Sequence, residues 1–315
     1  MKKILTPLLV LALAACAAPE TPPADDAEAD APEAVSLLGT PLHRTDFGPE
    51  RRAELEADLE AARAAYEADP DDADAIIWLG RRLAYLWRYR DAVEVFTEGI
   101  EKHPADARLY RHRGHRYITL RRFDDAVADL ERAAALIEGT PDEVEPDGQP
   151  NAAGIPTSTL HTNVYYHLGL AHYLRGDYER ALEAFERCLV AAGNNDMRVA
   201  TLDWVYMTLR RLGRHGEARA LLGAIHPDME LLENHAYHRR LLLYKGVLPP
   251  DSLLAVAGTD AEDRALTLAT QGYGVGNYFL AEGDTARAHA LFEEVVAGRY
   301  WPAFGYLAAE ADLAR

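Results

Sequence analysis

From about residue 50 onward, apolar positions recur at the three-to-four spacing of amphipathic helices, and tight polar turns separate the helical stretches without strand-like alternation. The pattern repeats along the chain. Gly80 and Gly114 stand 34 residues apart, and around them Leu79, Leu83, Ala92 and Phe96 correspond to Arg113, Tyr117, Ala126 and Leu130. The template returns as Leu168, Gly169, His172, Ala181, Phe185 and Cys188, more weakly at Gly213, Ala218 and Leu222, and again at Gly276, Phe279, Gly283, Ala288 and Phe292. A fixed period of this length marks a repeat array, in which each unit buries its apolar face only by stacking on its neighbours. Small residues let two antiparallel helices approach, so Gly80 is expected to face Ala92, Gly114 to face Ala126 and Gly169 to face Ala181. Phe96, Tyr117 and Phe185 are then expected to fill the space between successive pairs. Turn signals fall in equivalent places at Arg121-Arg122-Phe123, Gly176-Asp177-Tyr178 and Glu282-Gly283-Asp284, and Pro70 and Pro104 end second helices.

This template resembles the tetratricopeptide repeat (TPR) family over about residues 50 to 315. The resemblance implies an all-α fold, a TPR-type helix-turn-helix solenoid wound as a right-handed superhelix of about five to six units with capping helices. Glu50 to Ala68 reads as a solitary helix closing the N-terminal edge, and Ala303 to Leu313 as a helix closing the other end with Phe304, Leu307 and Ala311 turned inward. Glu233 to Lys245, followed by the short Asp251 to Ala257, is the least regular unit. The resemblance also implies a concave groove lined by set positions of each first helix. These are Arg108, Arg111, His115 and Ile118 in one unit, Asp74, Ile77 and Arg81 before it, and Asn163, Tyr166 and Leu170 after it. The partner-binding residues expected from this placement are Arg81, Arg108, Arg111, His115, Asn163 and Tyr166.

Between Gly114 and Gly169 the spacing grows to 55 residues, 21 more than one period. The surplus lies at residues 138–160, a stretch dense in proline, glycine, aspartate and asparagine that reads as an insert loop. Such inserts gather on one face of a repeat array and often meet its ligand. Just before it, Arg108 to Arg122 holds six arginines with His112 and His115 and no acid. Two readings stand side by side: an arginine-lined groove that takes a carboxylate through its guanidinium forks, or a polar lattice in which acids of adjacent helices neutralise these arginines. On the first reading, protonation of His115 below about pH 6.5 strengthens an anionic partner.

The start of the chain carries a different signal. Lys2 and Lys3 precede the apolar run Leu8 to Leu13, and Leu13-Ala14-Ala15-Cys16 resembles the lipobox of bacterial lipoproteins. That resemblance implies a leader of residues 1–15, acylation of Cys16, and, with alanine and not aspartate at position 17, the periplasmic face of the outer membrane. Residues 16–47 follow, rich in alanine, proline and acids including Glu20, Asp25, Asp26, Glu28, Asp30 and Glu33, and read as a disordered tether below a solenoid domain of residues 48–315. The formal charge of −18 argues against nucleic acid as a partner and leaves the lipid on Cys16 as the contact with the membrane. With only Cys16 and Cys188 present and the first committed to lipid, no intramolecular disulfide is available; Cys188 falls on an inward-facing position.

Chemistry beyond binding finds little footing. His112 and His115 lie one turn apart, and His161, His167 and His172 lie near the next first helix, but their spacings match no metal motif, and no cofactor is implied. Gly272, Gly274 and Gly276 lack the preceding strand that a phosphate loop needs, and no nucleophile-and-base pattern occurs. The sequence therefore reads as a membrane-anchored, non-enzymatic adaptor that holds a protein or peptide, anionic in part, in its concave groove. The alternative is a hydrolase or metal-dependent enzyme built on the insert and the histidines, and self-association through an end repeat is a third outcome.

Overall fold

The described residues, 31–255 and 261–315 of a computed structural model, are organised as helix pairs; Cys16, the leader and most of the acidic run lie outside them. Helix α1 (Pro49–Ala68) turns Leu55, Leu59 and Ala62 onto α2 (Ala73–Tyr85), which pairs with α3 (Tyr89–Lys102). Then come α4 (Ala107–Thr119) with α5 (Phe123–Ile137), α6 (Leu160–Arg175) with α7 (Tyr178–Ala191), and α8 (Asn195–Arg211) with the short α9 (His215–Leu221). Side-chain caps fix several helix starts, Asp72 on Asp74 N, Asp106 on Arg108 N and Asn194 on Met197 N, while Thr159 and Thr162 form a capping box at α6. Helices α10 (His235–Tyr244) and α11 (Pro250–Leu254) form the irregular unit. In the last unit α12 (Ala261–Thr267) runs through a π turn at Leu268–Gly272 into α13 (Tyr273–Ala281), which pairs with α14 (Thr285–Val296), and α15 (Phe304–Leu313) ends the chain. Among the described residues no helix is long and apolar enough to cross a membrane.

The periodic glycines work within a pair, against an aromatic ring. A Cβ on Gly80 would lie 2.4 Å from Phe96 Cε1, on Gly169 2.5 Å from Phe185 Cδ1 and on Gly276 2.4 Å from Phe292 Cε1; on Gly114 it would meet Leu130 Cγ at 2.8 Å. Each partner lies sixteen residues on, one turn beyond the alanine expected to face the glycine. Phe96, Phe185 and Phe292 thus seal their own pairs, where they are buried. The fourth pair lacks the slot. Tyr206 stands at the position sixteen residues before Leu222 and stacks on Tyr244 with ring centres 4.2 Å apart, so α9 is short and continues as a 3-10 turn at Leu222–Ala224. The three glycines of α12 to α13 also serve packing: Gly272 makes room for Val295, Gly274 for the Arg240 side chain and Gly276 for Phe292.

The N-terminal end departs from the sequence expectation, and the C-terminal helix, placed as expected, makes further contacts. Residues 32–47, assigned to the tether by composition, are ordered within one compact unit that extends from Pro32 to Arg315. Strands β1 (Ala34–Val35) and β2 (Pro41–Leu42) pair as a small antiparallel ribbon. Glu33, counted among the tether acids, is buried and accepts from Arg44 Nε at 2.7 Å and the Arg90 amide at 3.1 Å. Ion pairing holds what apolar composition could not predict. Helix α15 does more than cap the last pair: it returns to α6 and, through Glu310, reaches the ribbon. Glu310 takes Arg121 Nη2 at 2.6 Å and Leu37 N at 2.6 Å, while Trp301 donates to the His43 carbonyl at 2.7 Å and packs edge-on to Trp87 and Tyr89. The first and last segments of the solenoid therefore meet.

Candidate functional site

The insert of residues 138–160 folds over the first helices α2, α4 and α6. Val144 bridges Thr159, Glu145 N donates to the Ser158 carbonyl, and Asn194 holds the Thr157 carbonyl, so the loop is tied at both ends. Beneath it lies a cavity of about 370 Å³, and five of the six expected groove residues reach it: Arg81, Arg111, His115, Asn163 and Tyr166. Arg108 does not. Its side chain stays at the helix start, where Asp106 and Asp74 engage it at 2.6 Å each.

The insert has already supplied the carboxylate that Arg111 was expected to take from a partner. Glu145 Oε1 lies 3.0 Å from Arg111 Nη2, and its Oε2 accepts from Asn163 Nδ2 at 3.0 Å. Arg111 is 8% exposed, and its Nη1 donates to His112 Nδ1 at 2.9 Å while its Nε has no partner. Arg81 donates to the Pro146 carbonyl at 2.8 Å, a second clasp on the insert. Arg111 therefore lies inside the fold, which corrects the view of it as a freely accessible fork.

Neighbouring arginines follow the same logic. Arg113 binds Asp129 through two nitrogens at 2.7 and 2.8 Å, Arg121 binds Glu310, and Arg122 binds Asp125 at 2.7 Å. For most of the basic stretch the lattice reading holds, because α5, the insert and α15 each bring an acid to it.

Of the histidines, His112, His115 and His167 converge on the cavity, and His161 and His172 do not. The rings of His115 and His167 lie 4.2 Å apart, and Phe304 of α15 packs against both. His167 Nδ1 donates to the Asn163 carbonyl at 2.6 Å, an acceptor that fixes the proton on that nitrogen. Burial pushes all three pKa values well below the usual histidine value, helped by Arg111 beside His112 and His167 and by Arg116 beside His115. His115 consequently stays neutral through pH 6.5, and the expected strengthening of anion binding at that pH does not fit its surroundings. Among the described residues no group of three or more His, Cys, Asp or Glu is placed to hold a metal ion. Cys188 is fully buried, its sulfur 3.3 Å from Thr201 Oγ1, and burial pushes its thiol up to about 12, far from a reactive thiolate.

Sequence reasoning missed Arg116, His112, His167, Glu145 and Tyr237 as cavity residues. His112 and Arg116 fall outside the groove positions of the repeat template, and Glu145 sits in an insert that has no template. Tyr237 comes from the irregular unit, and its hydroxyl meets that of Tyr166 at 2.9 Å, which in turn accepts from Trp204 Nε1 at 2.7 Å.

Comparison with known proteins bears on the repeats. The TPR_16 tetratricopeptide repeat model matches residues 79–143 and the TPR_1 model matches residues 162–195. The chain is 25% identical over 140 residues to BBSome complex member BBS4 of Bos taurus, covering 44% of this chain and 23% of that protein. It is 28% identical over 116 residues to small glutamine-rich tetratricopeptide repeat-containing protein 2 of Saccharomyces cerevisiae, covering 37% and 28%. The chain spans about a quarter of the length of these curated relatives. Among solved structures, a tetratricopeptide repeat protein from Parabacteroides merdae aligns at TM-score 0.46 and 16% identity, over 83% of this chain and 94% of that one. YrrB, described as a TPR protein with an unusual peptide-binding site, aligns at TM-score 0.42 and 15% identity, over 76% and 92%. With its glycine-sealed helix pairs and these matched segments, the chain carries tetratricopeptide repeats over residues 79–143 and 162–195.

Proposed function

We propose that the protein is a lipid-anchored adaptor of the bacterial cell envelope, attached through Cys16 to the periplasmic face of the outer membrane, that holds a protein or peptide partner on the concave side of its solenoid. TPR proteins act in protein–protein interaction and scaffolding, and the repeat architecture supplies the binding surface. The observation that carries the finer reading is the seat of Glu145, where Arg111 and Asn163 hold a carboxylate brought by a loop. The seating of the chain's own acid supports a site suited to carboxylates, and on this reading the partner presents an acidic side chain or chain end that displaces Glu145. Arg81 and Tyr166 then border the incoming group, and His115 contributes a neutral ring.

The test is capture from envelope extract by the full chain and its Glu145→Gln form. Glu145→Gln weakens the internal ligand, and capture of an acidic partner should rise on the order of tenfold, the worth of one charge-assisted hydrogen bond. Unchanged capture means that the partner docks elsewhere. Labelled palmitate should enter the wild-type chain and not Cys16→Ser; label in the variant removes the anchor from the reading.

A further inference from the structure

Within the basic stretch one guanidinium is left over. Arg108, Arg111, Arg113, Arg121 and Arg122 each meet a carboxylate, whereas Arg116 has neither hydrogen bond nor ion pair among the described residues; its guanidinium lies 5.5 Å from the centre of the Tyr89 ring. Its charged neighbours are Arg111 and Arg81, which repel it, and burial pulls its pKa down to about 10. Arg116 is half-buried, and a cation drawn partly out of water with no counter-charge carries a cost that a bound anion would remove.

Arg116 stands where two chambers adjoin. One is the cavity beneath the insert. The other, of about 800 Å³, is walled in part by Phe47, Trp87, Tyr89 and Tyr300, with Asp46, Arg51 and Arg299 also on its lining. Tyr85, His115, Arg116, Asp147 and Gln149 border both, so Arg116 stands in the partition between the two chambers. None of the cavity's own acids is ion-paired with Arg116: Glu145 is held by Arg111 and Asn163, Glu233 accepts from Thr157 and Asn151, and Asp147 accepts from the Gln149 amide.

We propose that Arg116 anchors a small organic acid, with the carboxylate on its guanidinium and an aromatic or aliphatic body in the second chamber against Phe47, Trp87 and Tyr89. Both chambers have the size of small-ligand sites. An inorganic anion would leave the aromatic wall unused, and a neutral ligand would leave the cation unmatched. The proposal goes beyond the adaptor reading and does not depend on it, because Arg111 and Glu145 form a separate, already completed pair.

The test is titration calorimetry of the full chain with 3-phenylpropionate, its neutral twin 3-phenylpropionamide, inorganic phosphate, and a tetrapeptide ending in phenylalanine. The acid should bind at least tenfold more tightly than any of the other three and should change Trp87 fluorescence. Arg116→Gln should lose at least tenfold in acid affinity while melting no lower than wild type, since the residue removed is an unmatched charge. Arg116→Lys, which keeps the charge, should stay within about tenfold of wild type. Equal binding of acid and amide, undiminished binding by Arg116→Gln, or a lower melting temperature for that variant overturns the proposal. Tighter binding of phosphate or of the peptide overturns the assignment to a small organic acid.

Discussion

Removal of Glu310 should loosen the closure of the solenoid, and the structure sets the size of the effect. Glu310 and Arg121 are 189 residues apart in sequence, and their side chains are 0% and 4% exposed. The carboxylate accepts from Arg121 Nε and Nη2 and from the Leu37 amide, and Arg121 reaches on to the carbonyls of Thr119 and Trp301. Glu310→Ala strands a buried guanidinium, a loss of about 3–5 kcal/mol for breaking such a pair, and leaves the Leu37 amide without its acceptor at about 1 kcal/mol more. Replacing both charges, as in Arg121→Met with Glu310→Met, removes the stranded charge. That double variant should recover most of the loss and lie within about 2 kcal/mol of wild type. Urea unfolding gives the global term, and amide exchange at Leu37 and across α15 shows whether the ends part before the whole unfolds. A loss below about 1 kcal/mol in Glu310→Ala, with exchange unchanged, would refute the view that this pair fastens the two ends.

Two further outcomes are expected. Gly169→Ala should lower the melting temperature, because a Cβ 2.5 Å from Phe185 costs about 1–3 kcal/mol in overpacking against a helix-propensity gain of at most about 1; Gly216→Ala, with open space around it, should be neutral or raise it. The pKa values of His112, His115 and His167 are depressed in the fold, so the unfolded chain takes up protons first as pH falls below about 6.5. Stability should then fall with a slope of up to about 1.4 kcal/mol per pH unit for each histidine. Urea midpoints at several pH values between 7.5 and 5.5 check this, and a flat profile means that these rings are not held neutral.

The pairs with a strict glycine, alanine and large-residue spacing were legible as pairs because that spacing marks a close helix approach, but the ring that fills the approach was not: Ala92 and Ala181 were expected opposite Gly80 and Gly169, and Phe96 and Phe185, one turn on, occupy the space. The fourth pair was less legible because Tyr206 fills the glycine slot and recruits Tyr244 from a later unit. Helix phase brings Arg81, Arg111, His115, Asn163 and Tyr166 to one cavity, since it fixes where a side chain starts. Phase says nothing of what arrives opposite. Glu145 from the insert, Asp129 from α5 and Glu310 from α15 decide whether an arginine is open or spoken for, and each comes from a different stretch of chain.

That distinction also accounts for two residues in unfavourable backbone conformations. The turns inside the pairs place one residue in the left-handed region, and Gly176, Gly213 and Gly283 take it with φ of 84°, 71° and 86°. The first two pairs use Trp87 and Arg121 at φ of 57° and 63°, where a side chain costs on the order of 1–2 kcal/mol that glycine would avoid. Both side chains are needed on the other side of the molecule: Trp87 packs on Trp301 and Phe47, and Arg121 holds Glu310 and the Trp301 carbonyl. Glycine at either turn would relieve the backbone and release the returning C-terminal segment. The strain is therefore concentrated in the two repeats that clasp the end of the chain, beside the chamber that Trp87 shares with Arg116. Closure of the solenoid and the walls of its cavity are thus set by the same turns, and a change at either turn should be felt at the site as well as in stability.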